Sequence, residues 1–266
     1  MDERIKILFE NQNFLIVFKE RGIATAPLSF DQFENNNILS KIVKLYPDVQ
    51  NVKNSLKECE YGLVHRIDTD TKGIVLIARN TQTWNFFRKI QNENLFKKEY
   101  LAFCYKNPDL QEGFPICPFQ LKKDQIITSK FRHYGPKSAQ VRPVLLDSGN
   151  TFASKKASEK IYSTKILNFE NLSEKGENEK FRIKCSITQG FRHQVRCHLA
   201  WLGFPVIADK VYGFQDKIES RIESRIESQM QFYATALEFP EPNFDGSSSS
   251  KILRFDCSSQ IKRAAD

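Results

Sequence analysis

No apolar run in this chain approaches the roughly 18 residues that a bilayer-spanning helix needs, which excludes a helical membrane protein. The mean hydropathy of −0.48 agrees. No two of the six cysteines (Cys59, Cys104, Cys117, Cys185, Cys197 and Cys257) stand at C-x-x-C spacing, so zinc-ribbon and dithiol-redox readings fall away. They read instead as reduced thiols of a cytoplasmic protein, several of them acting as small hydrophobes. The opening stretch, MDERIKILFENQNFLIVF, carries charges among its apolar residues and lacks a small-residue cleavage site, so no secretory signal is expected. The chain has no G-x-x-x-x-G-K-[ST] and no G-x-G-x-x-G to cradle nucleotide phosphates. It has no H-E-x-x-H or His/Cys cluster for a catalytic metal, and no G-x-S-x-G elbow. Any chemistry must use ordinary side chains, with neither cofactor nor metal.

What is present fits one globular domain over residues 1–266. A chain of that length buries about 70–75% of its unfolded surface and needs no disulfide. Forty Lys and Arg against 32 Asp and Glu leave a net charge of +8. That excess fits a polyanionic partner such as RNA, DNA or an acidic membrane surface, or simple solubility. Six of the basic residues (Lys122, Lys123, Lys130, Arg132, Lys137 and Arg142) fall within 122–142 against the single acid Asp124. With little apolar periodicity, this segment reads as an irregular basic arm suited to gripping an RNA backbone.

Apolar patterning predicts a buried strand over Asn13–Phe18 and a short helix from Ile38 that stops before Pro47. It predicts a strand over Ile74–Ala78, then a helix capped by Asn80 or Thr81 with Trp84, Phe87 and Ile90 on one face. An alternating strand follows from Lys98 to Tyr105. Residues 106–150 read as Pro-rich and irregular. Two strands, Ile161–Leu167 and Phe181–Ile187, flank a polar hairpin insert, and a helix after Gly190 ends at Gly203. The repeated R-I-E-S unit within 216–229 reads as a surface insertion and Asp245–Ser250 as a flexible loop. Strands over Phe232–Phe239 and Ile252–Phe255 close the chain. Strands outnumber helices without alternating with them, which predicts an α+β fold.

Two segments concentrate reactive side chains. His65-Arg66-Ile67-Asp68 puts two cations and a carboxylate into four residues just before a buried strand. On spacing alone it fits a turn, with Asp68 or Asp70 bonding local backbone N–H groups, better than a reactive site. Arg192-His193-Gln194-Val195-Arg196-Cys197-His198 places Arg192 and Arg196 four apart on a helix face. That face suits solvent, a phosphate or a carboxylate.

Taken together these blocks resemble the RluA-like pseudouridine synthases. The family's H-R-L-D-x-x-T-S-G is matched by His65 to Gly73, with Lys72 in place of Ser. Its K-x-Y-x-A strand is matched by Lys98 to Ala102. Its T-G-R-x-H-Q-[IL]-R-x-H-L is matched in part by Gln189 to Leu199, with Phe191 in place of Arg. The following G-x-P-[IL]-x-G-D-x-x-Y-G is matched by Gly203 to Gly213, with Ala208 in place of Gly. Lys19-Glu20-Arg21-Gly22 stands where K-P-x-G is common. The blocks keep the family's order between about residues 7 and 257.

The resemblance implies a largely antiparallel, bent central sheet. It implies isomerisation of uridine to pseudouridine in ribosomal or transfer RNA without a cofactor. Asp68 would be the nucleophile, Tyr100 the tyrosine that stacks on the base, and Arg196 the guanidinium that pairs with the catalytic carboxylate. Arg66 would fill the space left by the flipped nucleoside, and Val206 and Ile207 would pack against the base. Thr71 belongs to the substrate-binding turn. His65, Arg192, His193 and the basic arm would hold phosphates. The chain leaves no room for the N-terminal S4 domain of many relatives, and a monomer is the simplest assembly. The competing reading is a catalytically silent RNA-binding or ribosome-assembly protein of the same fold.

Overall fold

The computed structural model describes residues 4–30, 36–107, 109–145, 151–173, 179–213, 229–243 and 251–262. The R-I-E-S repeat and the Asp245–Ser250 loop lie outside the described residues, apart from Gln229. The chain divides into two compact units, residues 1–98 with 233–266 and residues 99–232.

The first unit opens with an antiparallel hairpin, β1 (Ile5–Glu10) and β2 (Phe14–Lys19). Its turn is closed by Asn11, whose Oδ1 accepts from the backbone N–H of Asn13 and Phe14. The sequence pattern finds β2 but not β1. The side chains of β1 are mostly half-buried, so it lacks the continuous apolar run that marks a central strand. Helix α1 (Ile38–Leu45) starts where Asn37 Oδ1 accepts from Ser40 N at 2.9 Å. β3 (Lys72–Ala78) pairs antiparallel with β2 along its length. α2 (Thr81–Asn92) is capped by Asn80 and buries Trp84, Phe87 and Ile90, as the periodicity predicts. β9 (Phe232–Pro240) runs parallel to β3 at Lys72↔Tyr233 and Gly73↔Ala234, and antiparallel to β10 (Ile252–Asp256). Phe14, Phe87, Phe96 and Phe239 interlock in the core, largely edge to face, and the half-buried Phe255 stacks on Phe239.

The second unit takes in most of β4 (Lys97–Tyr105), followed by β5 (Ile126–Tyr134), β6 (Gln140–Val144), β7 (Tyr162–Asn171) and β8 (Lys180–Ile187). The strand order is β4-β8-β7-β5-β6, and β5–β6, β5–β7 and β7–β8 are antiparallel. β4 keeps the expected alternation, with Tyr100, Ala102 and Cys104 buried and Leu101, Phe103 and Tyr105 half-buried. Helix α3 (Gln194–Trp201) is buried throughout. It begins three residues later than expected, because Phe191 and Arg192 form a turn and His193 adopts a left-handed φ of 55°. Gly203, at φ 87°, ends it.

The fold is therefore α+β with a mixed, largely antiparallel sheet. One expectation is overturned. Residues 126–144 are not an irregular arm but the β5–β6 hairpin, with Ile127, Ser129 and Phe131 facing inward and Thr128, Lys130 and Arg132 facing out. Inward Ser and outward charge break the apolar rhythm that marks a strand in sequence.

Candidate active site

Asp68 sits on the loop that leads into β3. That loop runs beside the strand: Val64 N donates to Leu76 O and His65 Nε2 accepts from Leu76 N. The residues on both sides of Asp68 are clamped. Thr25 Oγ1 donates to Ile67 O at 2.7 Å. Lys19 Nζ, at the buried end of β2, donates to Thr69 O at 2.8 Å and also to the carbonyls of Glu20 and Ile23. Thr71 N closes the turn onto Asp68 O. A carboxylate on so constrained a backbone loses little freedom when it engages a substrate. Burial lowers the Lys19 pKa to about 8, against the opposing pull of Asp68 and Asp70.

In the second unit, Tyr100 is buried with its ring stacked on Phe232 at 5.3 Å and nearly parallel. Arg196 is buried and makes a two-pronged ion pair with Asp209, Nε to Oδ2 at 2.7 Å and Nη2 to Oδ1 at 2.6 Å. Asp209 Oδ1 also accepts from the backbone N–H of Val211 and Tyr212. These bonds fix the guanidinium plane as well as its charge. Asp209 is thus a carboxylate partner of Arg196 that the sequence reading did not assign, although it lies inside a quoted motif. Tyr212 bonds the backbone of Val141 through its hydroxyl and lies 3.4 Å from His193 Nδ1. Val206 and Ile207 are core residues held to β4, Ile207 N donating to Phe103 O. Ala208, standing where the family has Gly, adopts a left-handed φ of 57° that costs an L-residue about 1 kcal/mol or more.

Several expected contacts need correction. The surroundings of His65 disfavour the phosphate-holding cation expected there. Its ring packs on Phe96, and burial with the nearby Lys98 charge lowers its pKa to about 3. Thr71 is only 1% exposed, so its place is in the turn rather than on a substrate surface. Arg192 and Arg196 do not share a solvated helix face. Arg192 precedes the helix and donates to Ser138 O at the hairpin tip, whereas Arg196 is inside. Arg142 is also buried, while Lys122, Lys123 and Lys137 are exposed and Lys130 and Arg132 half-exposed. Arg66 is exposed and ion-paired with Glu60 at 3.0 Å. Lys19, although quoted within a motif, was given no role, and Thr25 escaped the sequence reading.

Among the described residues, no group of three or more His, Cys, Asp or Glu side chains could hold a metal, and no helix is long and apolar enough to cross a membrane.

Comparison with known proteins identifies the family and the fold. A Mycoplasma pneumoniae protein described as an uncharacterized RNA pseudouridine synthase homolog is 26% identical over 220 residues, covering 81% of this chain and 58% of the relative. The ribosomal large subunit pseudouridine synthase D of Borreliella burgdorferi is 26% identical over 214 residues, covering 80% and 56%. The chain thus spans a little over half the length of these relatives. The structure of human RNA pseudouridylate synthase domain containing 1 shares the fold, with a TM-score of 0.62 at 16% identity, covering 96% of this chain and 83% of that one. The family model for RNA pseudouridylate synthase matches residues 13–201, and the chain belongs to that family.

Proposed function

We propose that this protein converts a uridine of ribosomal or transfer RNA into pseudouridine, with Asp68 as the nucleophilic carboxylate. The bond from C1′ to N1 breaks and one from C1′ to C5 forms. C5 loses a proton and N1 gains one, so the isomerisation needs no oxidant, reductant or donor. Asp68 starts it, by attack on the anomeric carbon or by promoting loss of the base through a glycal. Tyr100 stacks on the freed uracil, and its hydroxyl serves the proton leaving C5. Arg196, oriented by Asp209, supplies the guanidinium that the resemblance assigns to the catalytic carboxylate. The uridine must leave its stack to react, at a cost of a few kcal/mol that is smaller in a loop than in a helix. Arg66 fills the space it leaves.

The observation that carries the reading is the clamped carboxylate itself. Thr25 and Lys19 hold the carbonyls on either side of Asp68, in a chain that belongs to this family. In the test, Asp68→Asn is incubated with total cellular RNA and pseudouridine is quantified by chemical labelling. The variant is expected to form none while keeping RNA affinity within about two-fold, since base recognition and phosphate contact do not need the charge. Full activity in the variant removes Asp68 from the reaction. An inactive wild type with intact RNA binding favours a silent RNA-binding protein.

A further inference from the structure

The outer face of the β5–β6 hairpin carries an arrangement that folding alone disfavours. Arg132 and Arg142 stand directly opposite each other in the register of the two strands. Like charges in that position repel. Both guanidinium groups lie over the ring of Tyr134, Arg142 at 3.2 Å from its centroid and Arg132 at 5.5 Å. Arg142 is only 7% exposed, and its Nε is buried without a hydrogen-bond partner. Among the described residues no acid pairs with it. Room for its guanidinium comes from Gly113, at φ 72°, where a Cβ would run into the head of Arg142. Tyr134 itself is 39% exposed, and no hydrogen bond to its hydroxyl is found among the described residues.

The surroundings add charge of one sign. Lys137 is exposed at the tip, and the exposed Arg192 ties its Nη1 to Ser138 O at 2.8 Å. The inner face is anchored by Phe131, stacked on Phe191 at 5.2 Å and nearly parallel. The half-exposed ring is therefore supported from behind by a buried cation and flanked by further cations on a fixed hairpin. An uncompensated buried charge is costly unless a counter-charge arrives. A partly exposed aromatic ring gains most from a flat, apolar-faced partner. A nucleotide meets both needs, with its base on the ring and its phosphate on the half-exposed Arg132, beside the buried Arg142.

We infer that Tyr134 is a stacking platform for an unpaired RNA nucleotide flanking the target uridine, with the half-exposed Arg132 holding that nucleotide's phosphate and the buried Arg142 supporting the ring from behind. The inference rests on the RNA-modifying reading above and adds a base contact to what would otherwise be a phosphate-only surface. Because any base presents a flat face, the platform favours single strands and loops over duplex without selecting a sequence.

The test compares two fluorescein-labelled probes, an oligouridylate of about twelve nucleotides and an abasic ribose-phosphate oligomer of equal length, by fluorescence anisotropy. The wild type is expected to bind the oligouridylate at least about five-fold more tightly than the abasic probe. Tyr134→Ala should cut that preference by about five-fold or more and Tyr134→Phe should keep it. Equal binding of both probes by the wild type overturns the platform, as does an undiminished preference in Tyr134→Ala. Pseudouridine formation in total RNA is measured alongside. If the wild type makes none yet shows the tyrosine-dependent preference, the enzymatic reading fails and the platform stands. If it makes pseudouridine and shows no preference, the platform alone fails.

Discussion

His198 lies wholly inside the second unit, its Nε2 2.9 Å from Ser129 Oγ and its Nδ1 2.8 Å from Thr164 Oγ1. Burial lowers its pKa to about 3. The unfolded chain takes a proton at this position near pH 6.5 and the folded chain does not. Stability is therefore lost as pH falls below 6.5, at about 1.4 kcal/mol per pH unit for this group. His65, also lowered to about 3, acts in the same direction and window. Lys19 works at the other end. Its pKa falls from 10.5 to about 8, so its charged form is a cost that is relieved as pH rises between those values. Urea unfolding at pH 7, 6 and 5 should show a declining stability. His198→Gln, whatever its stability at pH 7, should remove one proton's share of the decline, about 1.4 kcal/mol per unit. An unchanged slope would take His198 out of the acid limb.

The joint between β3 and β9 depends on one glycine. Gly73 has φ 144°, and a Cβ there would collide with the Ala234 carbonyl across the parallel pairing. Gly22, at φ 74°, has nothing within 4 Å of where a Cβ would stand. Gly73→Ala should thus cost about 1–3 kcal/mol from overpacking beyond its backbone strain, and Gly22→Ala only the strain of about 1–2 kcal/mol. Comparing the two in urea separates them, and equal losses would show that the strands part without penalty. The same contrast explains what was legible in the sequence. β2, β3 and α2 announce themselves, because buried apolar residues repeat at the period of the element and Asn80 stands at the helix cap. The β5–β6 hairpin does not, because its outward face is basic and its inward face includes Ser129. Asp68, Tyr100 and Arg196 could be singled out as a set by resemblance, whereas spacing alone left each with a bland reading. The partners that fix them, Lys19, Thr25 and Asp209, are distant in sequence or were hidden within a motif, and only the fold brings them to their carbonyls and guanidinium.

For the molecule as a whole, the net charge of +8 becomes meaningful once its distribution is known. Of the six basic residues in 122–142, Lys122, Lys123 and Lys137 are exposed, Lys130 and Arg132 are half-exposed, and Arg142 is inside. Asp124, the segment's one acid, is held to Lys165 at 2.8 Å, and its carboxyl pKa is lowered by that bond. An RNA that engages the exposed cations releases counterions for each phosphate met, and affinity falls with salt accordingly. Each single-strand phosphate contributes about −0.7 to the slope of log affinity against log salt, so about five contacts give a slope near −3.5. Replacing Lys122, Lys123 and Lys137 together by Gln should reduce its magnitude by about 2 and weaken binding at low salt, with little effect on which uridine is modified. Asp68→Asn, which alters no phosphate contact, should leave the slope where it was. Titrations of labelled RNA from low to moderate salt distinguish these outcomes. A flat response in the wild type would mean that the excess positive charge serves solubility alone.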